Sequence, residues 1–511
     1  MKKKTKHKRG QEVFIISLII VFAIVVWGIA MPDSFSTVAN GLFDFLTTNF
    51  GWFYLITMTL FIVFCLWAAF GKHGKIKLGK PEEEPEFSTL SWFAMLFSAG
   101  MGVGLVFWGV AEPLNHYVAP LAMEGGTEAA AGFALETSFF HWGLHPWANY
   151  AVLALALAYM QFRHDKPGQI SSIFIPLLGE ERARGPIGKA IDILAIFATV
   201  AGVATSLGLA TMQLTSGFNF LFGTPETDTV RLIIIGIITV LFMISAITGV
   251  DKGIKYLSNA NISLATIIMV LCLIVGPTVM IINNFTNAFG GYMSSLVSNS
   301  FRIGDDPWYG AWTLFYWAWW IAWAPFVATF IARISRGRTI REFVGGVLFA
   351  PTLASFVWFS IMGTMGINLG EGVAEEAIAV TETAFFVVMQ EYPIGQLISI
   401  IAVILLTTFF ITSADSATFV LGMMSDRGNI NPSTKRKITW GFIQTGLAIA
   451  LMLSGGLEML QTGSIVAAFP FAIVMLLAMG SMVKTLRAEV EADEEKLPDI
   501  DKEVLESAVG K

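Results

Sequence analysis

The chain has 511 residues, of which 55% are hydrophobic and only 14% are charged, with a formal net charge of −6. Soluble domains carry about 25% charged residues, so this chain has too little charge to cover a water-facing surface of its size. The composition therefore excludes a soluble enzyme, a nucleic-acid-binding protein, a disordered scaffold and a secreted disulfide-rich module. It indicates an all-α polytopic membrane protein, because the apolar runs are long and continuous rather than short and alternating.

Apolar runs long enough to cross a bilayer, which takes about 20 residues, recur along the whole chain. The predicted spans are 12–31, 51–71, 89–111, 132–161, 187–219, 230–250, 258–284, 309–335, 343–366, 394–424, 437–455 and 464–483. Lys and Arg are retained on the cytoplasmic side of a membrane, and these twelve spans place 30 of the 32 basic residues on one side. The sorting supports twelve spans in the inner cell membrane, with both termini in the cytoplasm.

The spans divide the chain into six segments. They are a basic tail (1–11), two initial spans (12–71), a five-helix unit (89–284), an interfacial linking segment (285–308), a second five-helix unit (309–483) and an acidic tail (484–511). Two units with an odd number of helices have opposite membrane orientations, as in inverted-repeat transporters. The glycine-rich third span would then correspond to the eighth span, which holds Pro325, and both are expected to be interrupted. The tails are expected to be solvated, and the basic one could also contact anionic lipid.

Tryptophan is concentrated in the eighth span, where six of the 15 Trp residues fall between 308 and 323. At about 100° per residue, five aromatic side chains share one arc of this helix, whereas Trp317 points elsewhere. The five are Trp312, Tyr316, Trp319, Trp320 and Trp323. Indole faces in a low-dielectric pocket attract a quaternary ammonium group. The alternative is a packing seam between helices, and an interfacial belt accounts for Trp308.

A second aromatic set lies in the fourth span, in a stretch that Pro146 is expected to kink. Its members are Trp142, Trp147 and Tyr150. Core packing explains this set equally well. His141 and His145 have the i, i+4 spacing of a metal-binding pair, but no other predicted span supplies a third histidine. Structural or proton-linked histidines are therefore the favoured interpretation.

Two further spans carry groups suited to small ligands. Glycines at 100, 102 and 104 weaken the third span, and unwound backbone in a membrane lines cavities in which it binds cations and carboxylates. Close helix packing is the alternative. The tenth span contains Thr408, Thr412 and Ser413 beside the intramembrane carboxylate Asp415. Such oxygen ligands favour an alkali or alkaline-earth cation, although hydroxyl groups also bond back to their own helix.

Five segments together resemble the signatures of the betaine/choline/carnitine transporter family. They are GMGVGL at 100–105, HWGLHPW at 141–147, FYWAWWIAWAPF at 315–326, ARISRGRTIREF at 332–343 and FFITSADSATF at 409–419. The resemblance covers 12–483 and is strongest to bacterial members that carry glycine betaine. It implies a transporter rather than an enzyme, with two accessory helices (12–71) before a LeuT-like 5+5 inverted repeat. It also implies assembly as a homotrimer.

The resemblance further implies the site residues. A trimethylammonium group would enter an aromatic box, and its carboxylate would lie at the unwound stretch of the third span. The box would comprise Trp142, Trp147, Tyr150 and Trp320, with Trp319 and Trp323 along the pathway, and the stretch Gly100, Met101, Gly102 and Gly104. One sodium ion would bind the hydroxyls of Thr412 and Ser413 and carbonyls near Ser98, Met101 and Phe409. A second sodium region would use Thr199 and Phe326, although Val203 stands where a further hydroxyl is expected.

These features predict a symporter that imports glycine betaine, or a similar quaternary-ammonium or zwitterionic osmolyte, with Na⁺ by alternating access for osmoprotection. Gly104 favours a zwitterion, because choline-carrying family members tend to have Asp there, so Gly104→Asp is expected to admit choline. Sodium is favoured because no Lys or Arg occurs from 190 to 230, where sodium-independent exchangers of the family place an Arg. The alternatives are a proton-coupled choline or carnitine carrier using Glu136, His141 or Asp415, a membrane metalloenzyme using the histidine pair, and an osmosensor acting through its tails.

Overall fold

The computed structural model describes residues 2–100, 102–248 and 251–495, and the side chains of 2–10, 97–100, 251–255 and 493 lie outside the description. Its helices are α1 (Lys2–Ala30), α2 (Pro32–Phe70), α3 (Thr89–Gly100), α4 (Val103–Val118), α5 (Glu128–Trp142), α6 (Leu144–Ala158), α7 (Ile175–Ala183), α8 (Pro186–Phe222), α9 (Asp228–Thr248), α10 (Asp251–Val275), α11 (Thr278–Ser300), α12 (Pro307–Tyr309), α13 (Phe315–Ile334), α14 (Ile340–Asn368), α15 (Glu371–Ile378), α16 (Ala384–Gln390), α17 (Gly395–Met424) and α18 (Thr434–Glu495). Short 3₁₀ turns cover Lys72–Lys75, Ile170–Phe174 and Thr381–Thr383, and π turns cover Tyr159–Arg163 and Gly310–Leu314. The described ranges contain no strand, only an isolated antiparallel bridge between Lys77 and Thr339.

Nine helices of the described residues are long and apolar enough to cross a membrane. They are Gln11–Ala30, Pro32–Phe70, Pro186–Phe222, Asp228–Thr248, Tyr256–Val275, Pro307–Ile334, Ile340–Asn368, Gly395–Met424 and Thr434–Ala492. The predicted spans 89–111 and 132–161 are missing from this set because each is divided into two shorter helices. The last two predicted spans form one kinked helix, α18. The all-helical, multiple-spanning architecture agrees with the sequence prediction.

The helices break where the backbone cannot continue them. α3 and α4 are separated at Gly102, whose backbone is extended (φ −136°, ψ −166°), as the glycine cluster predicts. α5 and α6 are separated at Gly143 rather than at Pro146. A proline ring clashes with the carbonyl four residues earlier and lacks the amide that would bond to it, so the break falls one turn towards the N-terminus. α18 is interrupted at Gly455–Gly456, where Gly456 has a left-handed φ of 60°.

Two predicted boundaries are wrong. The span 258–284 ends early, because α10 stops at Val275 and Pro277 precedes a new helix, α11. Proline disfavours helical backbone at the residue before it, which ends α10 there. The predicted limit between residues 284 and 285 therefore lies inside α11, whose Thr278–Ser300 contains most of the expected interfacial helix.

The eighth span is also continuous where an interruption was expected. α13 runs through Pro325 without a break, and its irregularity is the π turn Gly310–Leu314 just before it. A π turn adds a residue to the helical repeat, so it changes the angular position of Trp312 relative to the Trp residues that follow. The arc predicted at 100° per residue holds only from Phe315 onwards.

The C-terminal segment is not simply a solvated tail, because α18 continues to Glu495. Glu489 forms an ion pair with Arg163, and Glu494 forms one with Lys72 at 2.6 Å. These contacts attach the end of α18 to the loops that follow α2 and α6. Residues 496–511 of the acidic tail lie outside the described part of the chain.

Hydrogen bonds join the segment before α3 to the end of α13 and the residues that follow it. Glu86 accepts hydrogen bonds from Arg333 at 2.5 and 3.2 Å, and Glu83 accepts from Arg336 at 2.8 and 2.9 Å. These side-chain hydrogen bonds lower the pKa of both carboxyl groups, so the pairs are ionised at neutral pH. Because all four side chains are at least partly exposed, each pair stabilises the fold only modestly. Their effect is to hold the beginning of α3 beside the end of α13.

Candidate functional site

A cavity of about 1080 Å³ lies between the broken pair α3/α4 and helices α13 and α17. Predicted substrate residues in its lining are Gly102, Gly104, Trp142, Tyr150, Trp319, Trp320 and Trp323. Predicted ion-binding residues in its lining are Phe326, Phe409, Thr412 and Ser413. The cavity extends to Arg333 at the end of α13 and Lys437 in the first turn of α18, which line it. A single space thus joins residues from both predicted five-helix units.

Aromatic rings from α5, α6 and α13 meet at the wall of this cavity. Trp319 and Trp320 are stacked, with ring centroids 4.8 Å apart and planes at 17°. Trp142 meets Trp320 edge-on at 4.8 Å and 77°, and Tyr150 does so at 6.4 Å and 80°. Trp320 is only 7% exposed, so its indole lies in a largely desolvated environment. The arrangement presents ring faces and edges in different planes, which suits a compact cation better than a flat ligand.

Three of these indoles are anchored through their N–H groups. Trp142 Nε1 donates to Glu112 Oε2 at 2.8 Å, and Trp320 Nε1 donates to the carbonyl of His141 at 3.0 Å. Trp323 Nε1 donates to the carbonyl of Gly202 at 2.7 Å. Within the described part of the chain, Trp319 Nε1 is buried and makes no hydrogen bond. Anchoring at the N–H fixes each ring plane and leaves its face for a ligand.

Trp147 is the member of the predicted box that the structure places elsewhere. Among the described residues that line the cavity, Tyr150 is present and Trp147 is not. The Trp147 ring packs edge-on against Tyr150 with centroids 5.6 Å apart. Because Tyr150 lies one turn further along α6, Trp147 supports that ring rather than facing the cavity. Trp317 points away from the cavity, as predicted, and stacks on His145 at 4.8 Å.

Gly104 allows two indoles to approach the backbone of α4. A Cβ atom at this position would lie 2.5 Å from Cη2 of Trp319 and 3.3 Å from Cη2 of Trp142. Side chains do not tolerate the shorter separation, so any larger residue displaces the Trp319 ring. A Cβ at Gly102, by contrast, would meet no atom within 4 Å. The two glycines thus differ: Gly104 is required by packing, whereas Gly102 faces open space.

The hydroxyl groups predicted to bind sodium lie on α17. Thr412 Oγ1 donates to the carbonyls of Thr408 (2.9 Å) and Phe409 (3.2 Å) and accepts from Asn261 Nδ2 at 3.2 Å. The Thr412 hydroxyl thus bonds back to its own helix, which was the sequence-based alternative to ion binding. Ser413 lines the cavity beside it. Of the partners predicted on the third span, Met101 and the side chain of Ser98 lie outside the described part of the chain.

The predicted second sodium region is divided. Phe326 lines the cavity. Thr199 is buried in α8, where its hydroxyl donates to the carbonyl of Ala195 at 2.8 Å and lies 3.9 Å from Met424 Sδ. Val203 is likewise buried, at 1% exposure. The structure therefore places Phe326 in the cavity and Thr199 in a packed helix interface.

Comparison with known proteins decides the family. A family model described as "BCCT, betaine/carnitine/choline family transporter" matches residues 12–491. The chain belongs to this transporter family. It is 52% identical to the glycine betaine transporter OpuD of Bacillus subtilis, covering 94% of this chain and 95% of that protein. It is 44% identical to a probable glycine betaine transporter of Desulfitobacterium hafniense, over 94% and 98% of the two chains. It is 43% identical to an ectoine/hydroxyectoine transporter of Virgibacillus pantothenticus, over 96% and 99%.

Membership of the BCCT family settles three of the predictions. The family resemblance inferred from the five segments is confirmed, the protein is a multi-pass membrane transporter, and it belongs to a transporter rather than an enzyme family. The matched region begins at residue 12 and ends at 491. It therefore includes the cavity and every predicted site residue.

His141 and His145, whose i, i+4 spacing would also suit a metal pair, have different partners in the structure. His141 contacts Glu112 Oε1 through Nδ1 at 2.7 Å and Thr313 Oγ1 through Nε2 at 2.9 Å. His145 Nε2 instead contacts Ser300 Oγ at 3.0 Å. The break at Gly143 separates the two rings, because the i, i+4 rule applies only within an uninterrupted helix.

A different histidine cluster was missed from the sequence. Glu112, His116 and His141 are fully buried, and their ligand atoms lie within 4.8 Å of one another. The third span was predicted to end at residue 111, whereas α4 continues to Val118 and carries both Glu112 and His116 into the protein interior. The i, i+4 spacing of Glu112 and His116 was the signal that could have revealed them.

Two other carboxylates of the predicted spans, Glu136 and Asp415, have hydroxyl partners. Ser295 Oγ on α11 donates to Glu136, and Ser245 Oγ on α9 donates to Asp415 Oδ2 at 2.7 Å. Asp415 also lines the cavity. Glu136 lies against α11, where a Cβ on Gly291 would be 2.5 Å from its Oε2. Asp415 is therefore in a position to influence ions in the cavity, whereas Glu136 joins α5 to α11.

Proposed function

We propose that this protein is a Na⁺-coupled symporter that imports glycine betaine or a closely similar zwitterionic quaternary-ammonium osmolyte for osmoprotection. The observation that carries the proposal is the convergence of Trp142, Tyr150, Trp319 and Trp320 on a cavity that Thr412 and Ser413 also line. A quaternary ammonium cannot donate hydrogen bonds, so its recognition depends on aromatic faces. The relatives named for glycine betaine support the choice of substrate.

The break between α3 and α4 supplies groups for the charges that the aromatic box does not neutralise. The amides at the N-terminus of α4 carry partial positive charge and suit the substrate carboxylate, and the carbonyls at the C-terminus of α3 suit a cation. Gly102 lies between these ends and leaves open space beside the backbone. The buried N–H of Trp319, which makes no hydrogen bond among the described residues, is a further donor for the carboxylate.

Sodium would bind between α3 and α17. Thr412 and Ser413 hydroxyls and the Phe409 carbonyl provide oxygen ligands, which suit an alkali cation. Rotation of the Thr412 hydroxyl would free its oxygen from the bonds to its own helix. Val203 supplies no hydroxyl in the predicted second sodium region, which favours one sodium ion per transport cycle over two. Because glycine betaine is neutral overall, the sodium ion carries the transported charge and gains about 2.3 kcal/mol per 100 mV.

Alternating access requires a route to one side only at a time. The cavity extends to Arg333 and Lys437, which belong to two basic segments of the sequence. The positive-inside rule assigns these segments to the cytoplasm. At the other end of α4 the route is filled by rings, since His116 packs on Trp312 at 4.5 Å and on Trp308 at 5.3 Å. We therefore interpret the structure as an inward-facing state of a twelve-span transporter with cytoplasmic termini.

Twelve spans in a LeuT-like 5+5 arrangement are compatible with the nine long helices. Spans three and four are each a pair of short helices, α3/α4 and α5/α6. α18 contains the last two spans, which are separated by the interruption at Gly455–Gly456. A continuous α13 opposite a broken α3/α4 means that any inverted symmetry is imperfect at the binding site. The substrate box would then lie between one interrupted and one intact helix.

Substrate choice is tested by binding in the presence of sodium. Purified protein in detergent or nanodiscs should bind glycine betaine, with choline and carnitine as weak competitors. Ectoine belongs in the same panel because one relative is named for it. Choline bound as tightly as glycine betaine would contradict the zwitterion preference, and ectoine bound more tightly would make it the favoured substrate.

Replacing Gly104 by Ala should weaken substrate binding. The new methyl group would displace Trp319 by more than its neighbours can absorb, since the built Cβ is 2.5 Å from that ring. We expect the apparent KM for glycine betaine to rise by about tenfold, because a well-packed site does not accept an extra methyl group without distortion. Gly132→Ala is the control, since a Cβ there meets no atom within 4 Å. Equal KM values for the two variants would contradict the packing argument. An Asp side chain at position 104 would meet the same ring, so choline uptake by Gly104→Asp depends on movement of Trp319.

A further inference from the structure

One buried carboxylate connects the aromatic side chains of two helices. Glu112 on α4 is fully buried. Its Oε2 atom accepts from Trp142 Nε1 at 2.8 Å and from Tyr316 Oη at 2.5 Å. An indole N–H can only donate, so this oxygen is an acceptor in both contacts. A single atom of Glu112 thus joins the end of α5 to the first turn of α13.

The second oxygen of the same carboxylate faces histidines. Oε1 lies 2.7 Å from His141 Nδ1 and 3.5 Å from His116 Nε2. The other ring nitrogen of His141 contacts Thr313 Oγ1 at 2.9 Å. In the described part of the chain, the basic side chains in contact with Glu112 are these two imidazoles and no Lys or Arg. The carboxylate is therefore held on both sides by groups that orient it.

Both rings held by Oε2 contact Trp320, the central ring of the box. Tyr316 is stacked on Trp320 at 5.8 Å with an interplanar angle of 25°, and Trp142 meets it edge-on at 4.8 Å. Glu112 itself does not line the cavity among the described residues, whereas Trp142 and Trp320 do. Glu112 therefore reaches a ligand in the cavity by contact only through these rings.

We propose that Glu112 is the positioning residue of the aromatic box, an assignment that rests on the proposed recognition of a quaternary ammonium. Its hydrogen bonds fix the planes of Trp142 and Tyr316. In a low-dielectric interior hydrogen bonds are stronger than in water and polarise the groups that donate them. Electron density drawn towards the indole and phenol rings strengthens the faces that meet a cation. Glu112 thereby raises affinity for the cation without touching it.

The test is the apparent KM and Vmax of Glu112→Gln for glycine betaine in proteoliposomes, at equal amounts of inserted protein. The amide has the same shape but no charge, and it can accept fewer hydrogen bonds. We expect KM to rise about tenfold while Vmax stays within about twofold, because ligand affinity changes and folding does not. An unchanged KM would overturn the proposal, and a fall in Vmax alone would assign Glu112 a structural role instead.

A double-mutant cycle separates positioning from general damage. Tyr316→Phe removes one hydroxyl group and should raise KM by a few-fold on its own, with little further effect in the Glu112→Gln background. Additive effects would show that the two residues act independently and would overturn the proposal. If Glu112→Gln does not insert, Tyr316→Phe decides, since an unchanged KM there contradicts the mechanism. A wild-type protein that takes up no glycine betaine would refute the proposed function and this inference together, whereas normal wild-type uptake with an unaltered variant KM refutes the inference alone.

Discussion

Replacing Trp320 by Leu should raise the apparent KM for glycine betaine at least tenfold, the largest effect expected from a single box residue. Trp320 contacts Trp142, Tyr150, Tyr316 and Trp319, and it is the ring that all the others share. A desolvated cation–π contact contributes about 2 kcal/mol, which corresponds to roughly 30-fold in affinity. Leucine fills much of the volume but has no π face. Uptake kinetics in proteoliposomes, at matched protein levels, measure the effect.

Trp317→Leu is the matched control because it changes the same residue type on the same helix at a position that is not among the described residues lining the cavity. Trp317 is 1% exposed and packs against Phe140 and His145. Its loss should lower thermal stability, since truncating a large buried side chain leaves a cavity, but should leave KM within about twofold of wild type. Similar KM values for the two variants would contradict the box, because substrate affinity would then not depend on which Trp lines the cavity.

Replacing Thr412 by Val should raise the half-saturating sodium concentration about tenfold or more, with a smaller effect at saturating sodium. The substitution keeps the shape of the side chain and removes the oxygen proposed to bind the ion. Loss of one bond to a charged partner costs roughly 1.5–3 kcal/mol, which predicts a change of this size. Uptake of glycine betaine at a fixed concentration, measured against sodium concentration, gives the value directly.

Thr407→Val is the matched control on the same helix. The Thr407 hydroxyl donates to the carbonyl of Val403 at 2.8 Å, as the Thr412 hydroxyl does to Thr408, but Thr407 is not among the described residues that line the cavity. Its variant should keep the wild-type sodium dependence. If Thr412→Val behaves like this control, the hydroxyl at 412 serves only its own helix and the sodium site lies elsewhere.

The sequence was most informative where a physical rule acts on many residues at once. Helix periodicity separated Trp317 from Trp319, Trp320 and Trp323, and the structure places the three on the cavity and Trp317 against His145. The glycine cluster located the break between α3 and α4, because three weak positions act on the same helix. Such patterns survive folding because they depend on backbone geometry within one element.

Properties that depend on contacts between elements could not be predicted in the same way. Glu112 was placed outside the membrane because hydropathy falls at the end of the run, whereas its partners on α5 and α13 hold it in the interior. Trp147 matched the box by motif but is one turn from the cavity, because Pro146 moves the break to Gly143. The continuity of α13 through Pro325 likewise depends on neighbouring helices, which stabilise a proline within a buried helix.

The central claim is that sodium drives the accumulation of a quaternary-ammonium zwitterion. Its most direct test is uptake of labelled glycine betaine into proteoliposomes under an inward sodium gradient, compared with equal gradients of potassium or protons. The account predicts accumulation above the external concentration only with sodium, increased by an inside-negative potential because the ion carries the charge. Equal accumulation with potassium, or accumulation driven by protons alone, would contradict it.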